Sequence, residues 1–160
     1  MLFWYAAGSV FAVWNVFQSA GLDFRAVALG ALLPLAVDLP VGHQALGHTL
    51  LAPVAALSLV MLATSGRGRR LLRRRLIGLP IGWFCGIALS GAFASQRIFW
   101  WPGFGRSFGN VALLPAVAVI AIEELAGIAA AVWIWRRFGL RQPSRRRELL
   151  RRGKLVPVAT

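Results

Sequence analysis

The sequence predicts an all-α integral membrane protein, a helical bundle of four to five transmembrane segments of which the second is short or re-entrant. Two observations predict it. Long apolar stretches run almost the whole length of the chain: residues 1–22 carry no charged side chain, 39–66 none unless the two histidines protonate, 76–96 none, and 110–135 only the adjacent pair Glu123 and Glu124. Arginine clusters divide these stretches, whereas a membrane-spanning helix needs about 20 consecutive apolar residues. With 160 residues, 58% hydrophobic content and a positive mean hydropathy, the chain is too apolar for a soluble domain and long enough for one bundle. The expected organisation is a transmembrane bundle over 1–140 and a basic cytoplasmic tail with a short amphipathic helix over 141–160.

The net charge of +13 is segregated at segment ends instead of spread over a polar surface, so it reads as a topology signal and not as a nucleic-acid surface. Cys85 is the lone cysteine and lies within an apolar stretch, which excludes an intrachain disulfide and any cysteine-based metal spacing.

The first segment starts at Met1 with no basic n-region and no small-residue cleavage pattern, so it is expected to persist as a helix. Gly21, Asp23 and Arg25 mark a turn. Residues 26–37 follow, only twelve long or roughly 18 Å of helix, short for a full crossing. Asp38, Pro40 and Gly42 end that segment. A third is expected over 48–64, then a basic stretch over 65–75, a fourth segment over 76–95 and a fifth over 111–135. Pro34, Pro53, Pro80 and Pro115 fall in or beside these helices, as membrane helices tolerate when neighbours re-satisfy the freed backbone groups.

Positive charge in short loops is retained in the cytoplasm. Arg67, Arg69, Arg70, Arg73, Arg74 and Arg75 lie between segments three and four, and Arg136, Arg137, Arg141, Arg145, Arg146, Arg147, Arg151, Arg152 and Lys154 follow segment five. Both groups belong inside, and the loop bearing Arg97 and Arg106 belongs outside. If segment two crosses, the N-terminus is outside; if it is re-entrant, the N-terminus is inside. The crossing version is preferred because it puts Arg25 in the cytoplasm. Trp4, Trp100 and Trp101 suit the outer interface, Trp133 and Trp135 the inner one, and Trp14 and Trp83 deeper packing. The tail stretch 144–153, with Ser144 as N-cap, Leu149-Leu150 amid arginines and a terminal Gly153, reads as a short basic helix that lies on anionic headgroups or is simply solvated.

Ionisable groups at membrane depth cost about 2.5 to 3.5 kcal/mol each on insertion scales, which singles out Glu123 and Glu124 as candidate catalytic carboxylates. Adjacent helix positions point about 100° apart, so the two do not share one partner. They read as metal ligands, acid/base groups or a proton relay, or as protonated interhelical hydrogen bonds. Asp38, His43 and His48 form a second set at the outer ends of segments two and three, with oxygen and imidazole donors that suit zinc or another divalent ion. Their five-residue steps do not align on one helix face, so convergence requires the Pro40-Val41-Gly42 turn. The structural reading of Asp38 and His48 is capping of helix ends at a wet interface. No motif calls for an organic cofactor, and a divalent metal such as zinc is the one ion these residues suit.

The run 31–38, the His48-Thr49-Leu50 triplet, Leu79-Pro80-Ile81-Gly82 and the aromatic 98–102 together resemble small actinobacterial membrane proteins related to the YdjM-type membrane-bound metal-dependent hydrolases. The resemblance covers most of the chain. It implies a metal set made of an LPD-type aspartate, a His-Ser or His-Thr, and a later His with an Asp one helical turn on. Asp38 and His48 stand at retained acidic and histidine positions, while Leu35, Gly86 and Ser90 stand where other ligands would be. The family reading is therefore a non-catalytic or degenerate member acting through lipid or protein contacts in the plasma membrane. The alternatives are a metal-dependent hydrolase using Asp38, His48 and Glu123 or Glu124, and a small proton-coupled transporter, although no inverted repeat is visible.

Gly82, Gly86, Ser90 and Ala94 recur every four residues, a small-residue ridge of the kind that lets membrane helices approach closely, and Gly127 with Ala131 makes a second. Such ridges serve packing within a chain or contact with a second copy or another membrane protein. The loop 99–109, rich in Phe and Gly, reads as an interfacial anchor or a lid over the site. No phosphate loop, GxSxG elbow or paired-carboxylate glycosidase pattern is present in the sequence.

Overall fold

The computed structural model describes residues 1–18, 21–66, 68–105, 107–108 and 110–157. Arg67, Arg106, Gly109 and the last three residues, on which parts of the loop, lid and tail readings fall, lie outside the described residues. Among the described residues the fold is all-helical, with one isolated antiparallel bridge between His43 and Ala112. The α-helices are α1 (Leu2–Phe17), α2 (Phe24–Asp38), α3 (Leu51–Ala63), α4 (Arg70–Leu76), α5 (Gly78–Leu89), α6 (Gln96–Phe99), α7 (Val117–Arg137) and α8 (Pro143–Arg152). Two 3-10 turns, Leu46–His48 and Ala92–Ala94, link them.

The helices are shorter than the uncharged stretches that contain them. Among the described residues only α7, with 21 residues or about 31 Å, is long and apolar enough to cross a membrane by itself. Helix α1 has 16 residues and ends at Gln18, which adopts φ 45°. The uncharged run 76–95 is split because Ser90 caps α5 and Gly91 turns left-handed at φ 70°. Helix α3 begins at Leu51, since His48 is held in a 3-10 turn, and α7 begins beyond Pro115, since Val111 lies alongside Gln44 and accepts its N–H at 3.0 Å. Run length records where charge is absent; backbone geometry decides where a helix stops.

Glycines set the central packing. Gly78 lies against Ala26 and the Asp23 carbonyl, Gly82 against the Val27 backbone, and Gly86 against the Ala31 backbone, so α5 runs parallel to α2 with the two backbones touching. At Gly82 and Gly86 the small-residue ridge is therefore packed within the chain, the intramolecular one of its two readings. It also ends early: the Ser90 hydroxyl donates to the Ile87 carbonyl at 2.8 Å, and Ala94 has left the helix. The second ridge behaves alike, with Gly127 seated on the Phe3-Trp4 backbone. Ring contacts Phe11 to Trp133 (4.9 Å between centroids) and Trp14 to Phe138 (4.8 Å) continue that seam, so α1 and α7 also run parallel. Trp4 Nε1 donates to the Leu89 carbonyl at 3.1 Å, which sets the start of α1 beside the end of α5 and makes those two antiparallel.

A cluster of buried hydrophobic side chains lies toward one end, built from Val10, Val13, Trp14, Phe24, Val27, Ile134, Phe138, Leu140 and Leu155. Two of these, Leu140 and Leu155, flank α8. The tail is thus docked and not a free appendage: Phe24 N–H donates to the Gly153 carbonyl at 2.9 Å, and Arg25 Nη1 to the Leu150 carbonyl at 2.6 Å. Helix α8 does form, but Gln142 precedes it with Pro143 in the first turn, a position where proline's fixed φ suits the helix start, so Ser144 is not the cap. Away from this end the outer faces are apolar and open. Val54, Leu57, Leu59 and Leu62 of α3 and Val117, Ile122, Leu125 and Ile128 of α7 are all exposed.

Asp23 is the pin of the docked end. It is buried and accepts from Arg25 N–H (3.1 Å), Arg25 Nε (3.0 Å) and Arg25 Nη2 (2.8 Å), while Gly153 presses on the carboxylate. Burial pushes the Asp23 carboxyl up, but the Arg25 hydrogen bonds and charge, with the Arg25 and Ala26 backbone N–H groups, outweigh it and hold it below the usual value. A carboxyl depressed in the folded state stabilises the fold above its unfolded pKa, near 3.9, and that stabilisation is lost as pH falls through the folded value. The wild-type melting temperature in detergent is expected to drop between pH 5 and pH 2 more steeply than that of Asp23→Asn. Parallel pH profiles would remove Asp23 from this role.

Candidate functional site

The site forms where α2 ends. Val41 and Gly42 N–H groups both donate to the Asp38 carbonyl, at 3.0 and 3.1 Å, and Gly42 takes φ 77°, so the chain reverses over Pro40-Val41-Gly42 and brings the Leu46–His48 turn back over the helix end. Asp38 is 1% exposed and His48 2%. His48 Nδ1 lies 2.7 Å from Asp38 Oδ2, Ala45 N–H donates to the same oxygen at 2.7 Å, and Gly47 N–H donates to Oδ1 at 2.7 Å. Gly47 is required by closeness: a Cβ there would sit 2.9 Å from Asp38 Oδ1 and 2.5 Å from the Pro34 carbonyl oxygen. Trp83 of α5 closes the other side, its Nε1 donating to the Gly47 carbonyl at 2.8 Å. Thr49 follows, fully buried, with its hydroxyl donating to the Leu46 carbonyl at 2.9 Å and accepting Ala52 N–H at 3.3 Å as α3 starts.

Asp38 and His48 therefore meet, as the sequence allowed, but in the interior and not as caps at a wet interface. His43 does not join them. It is partly exposed, its Nδ1 lies 3.1 Å from the Val41 carbonyl, and it bridges to Ala112. The carboxylates of α7 are elsewhere too. Glu124 pairs with the Met1 amino group through Oε1 and accepts Phe3 N–H at 3.0 Å through Oε2, and Glu123 Oε2 is buried with no hydrogen-bond partner among the described residues. One glutamate thus ties α7 to the start of α1 in place of the outer site, a consequence of the close seating of Gly127 on Phe3 and Trp4.

Among the described residues no three His, Cys, Asp or Glu side chains converge as a metal set. The donor chemistry of the pair points the same way: both Asp38 oxygens already face N–H donors, and a cation there would be met by backbone N–H dipoles directed at the carboxylate. The expected set is not brought together as a whole: Asp38 and His48 meet, His43 stands apart, and Glu124 is paired with the start of α1. The arrangement also fastens parts of the chain to one another. It ties the 43–49 segment to the ends of α2 and α5, and Leu50 N–H, donating to the Phe99 carbonyl at 2.9 Å, continues the tie to α6.

In the loop beyond α6, Phe104 and Trp100 are exposed, while Phe108 packs on Trp101 with 5.1 Å between ring centroids. Sequence reasoning missed Trp83 and Gly47. Each lies in an apolar run where a tryptophan or glycine reads as packing, and only the position of the 43–49 turn reveals that their polar groups face one another.

The second polar concentration is at the opposite, tail-bearing end. A cavity of about 500 Å³ there is lined by Arg74 and Arg75 at the end of α4, by Arg152 and Lys154, and by the α1–α2 turn. The two arginine-rich parts of the chain thus share one end of the fold. Comparison with protein-family models, curated proteins and solved structures finds no match to this chain.

Proposed function

We propose that this chain is a multi-pass plasma-membrane protein of five segments, non-catalytic, that works through contacts between its basic cytoplasmic face and anionic lipid. The observation that carries the reading is the gathering of Arg74, Arg75, Arg152 and Lys154 at one end of a bundle whose flanks are apolar and exposed. The helix directions support five alternating segments. Helices α1 and α7 run toward the basic end, α2 and α5 run away from it, and α3 must return to it to reach the arginines of α4. Positive charge is retained on the cytoplasmic side, so on this reading the basic end lies inside and the end bearing the Asp38–His48 pair outside. Helices of 12 to 16 residues are short for the ~30 Å hydrocarbon core; the turns that extend them and local thinning of the bilayer make up the difference at modest cost. The Asp38–His48 pair, spent on mutual bonds, supports a degenerate relative of the metal-dependent hydrolase family in place of an active one.

In a Cys85→Ala background, cysteines placed at exposed Arg70 and Arg146 are expected to resist a membrane-impermeant thiol reagent in intact cells, and one at exposed Arg97 to react. Labelling of 70 or 146 from outside would overturn the topology. Native mass spectrometry of the detergent-purified protein is expected to retain phosphatidylglycerol in preference to phosphatidylcholine, and equal retention would overturn the lipid-contact reading.

A further inference from the structure

Resting on that reading of the basic face, we infer that the cavity between α4, the α1–α2 turn and the segment after α8 is a discrete site for a phosphate-bearing headgroup. Its walls carry four cations, Arg74, Arg75, Arg152 and Lys154, and a single carboxylate, Asp23. That carboxylate is already taken, since Arg25 engages both of its oxygens. None of the four cations makes an ion pair with a carboxylate among the described residues. Four like charges around one concavity repel one another, and the field they focus attracts an anion. Guanidinium groups match phosphate oxygens through paired N–H donors, with lysine adding a point charge, so the chemistry suits a phosphate ester.

The site is assembled from distant parts of the chain. The docked tail supplies Arg152 and Lys154 because Gly153 between them seats against Asp23 and binds Phe24 N–H. That fixes two cations opposite the two of α4, so the geometry depends on the tail being folded back and not only on its charge.

A lipid satisfies more of the surroundings than a free phosphate does. Leu22 and Leu71 share the cavity wall with the cations. A separate apolar cleft of about 420 Å³ opens between α1, α3 and α5, lined by Val16, Phe17, Val54, Leu57 and Phe84 among others. Phe17 of that cleft and Leu22 of the basic cavity are five residues apart in the chain.

The test is thermal melting of the full chain in detergent with added phosphatidylglycerol, phosphatidylcholine, glycerol 3-phosphate or inorganic phosphate. Phosphatidylglycerol is expected to raise the melting temperature in a saturable way, the two soluble phosphates weakly at millimolar concentration, and phosphatidylcholine not at all. The double variant Arg74→Gln/Arg152→Gln is expected to weaken the phosphatidylglycerol effect about tenfold or more, since each lost charged hydrogen bond is a large fraction of such binding. Arg136→Gln/Arg141→Gln removes the same charge from residues that do not line the cavity and is expected to change it less than about twofold. All four arginines are exposed, and matching unliganded melting temperatures verify that the variants fold. Equal weakening by both double variants would overturn the discrete site while leaving the basic-face reading intact. No advantage of phosphatidylglycerol over phosphatidylcholine in the wild type would overturn both. Soluble glycerol 3-phosphate as effective as the lipid would uphold the phosphate site and assign it to a soluble ester.

Discussion

Asp38→Asn is expected to destabilise the protein by about 1 to 3 kcal/mol, the cost of leaving a buried hydrogen-bond donor unpaired. The carboxylate accepts from His48 Nδ1 and from two backbone N–H groups, all at 2.7 Å, and it is 1% exposed. An asparagine amide is nearly isosteric but offers one oxygen in place of two, so its NH₂ must face a donor and leave at least one buried N–H unpaired. With total stabilities of roughly 5 to 15 kcal/mol, that loss removes a large part of the fold's margin. Thermal or denaturant unfolding in detergent measures it. His43→Asn, at a partly exposed position outside the cluster, serves as the control and is expected to stay within about 0.5 kcal/mol. A double-mutant cycle with His48→Ala is expected to give a coupling of about 1 to 3 kcal/mol, since the two side chains share a bond. Residues kept for chemistry commonly sacrifice stability, so a stable, well-folded Asp38→Asn would argue against the mechanical role and reopen the catalytic one.

The sequence made the helical class plain because it depends on summed apolarity, which no single contact can reverse. It also placed Asp38 and His48 at one site and named the turn that would be needed to join them. It could not place them in depth. The same residues suit a wet helix cap and a buried clasp, and the choice rests on Gly47 and Trp83, whose polar groups meet only after α2, the 43–49 turn and α5 have assembled. Glu123 and Glu124 show a related limit. Their cost in an apolar helix was visible, but the partner of Glu124 is a backbone N–H and an amino group at the start of α1, and neither has a residue-type signature. The sequence puts the tail on anionic headgroups or in solvent because its composition is basic; the two apolar residues that dock it, Leu140 and Leu155, are fifteen apart and too sparse to announce a core. Segment lengths failed for a third reason. Charge-free runs do not encode where a residue such as Gln18 or Gly91 turns left-handed and ends a helix.

The glycine seam between α2 and α5 gives the other large effect, and there the sign of a small substitution is informative. Glycine inside a helix ordinarily costs about 1 kcal/mol relative to alanine, so Gly82→Ala or Gly86→Ala on a free surface would stabilise α5. Here the added Cβ of either residue would fall on a backbone carbonyl of α2, that of Val27 for Gly82 and that of Ala31 for Gly86, and neither can move aside as a flexible side chain could. Both alanine variants are expected to melt below the wild type. Gly86→Leu is expected to lose about 1 to 3 kcal/mol or more, because a leucine must drive the two helices apart and break the close approach along the whole seam. Val60→Leu on α3, most of whose residues are open, adds one methylene with room to accommodate it and is expected to change stability by less than about 0.5 kcal/mol. The consequence extends beyond stability. Helix α2 carries Asp38 at its far end and Asp23 at its near end, so a displaced α2 strains the Asp38–His48 clasp and the Asp23–Gly153 docking together. Melting curves of Gly82→Ala, Gly86→Ala, Gly86→Leu and Val60→Leu in one detergent decide the matter. Alanine variants more stable than the wild type, or Gly86→Leu equal to Val60→Leu, would mean that the ridge faces lipid and that α5 does not rest on α2.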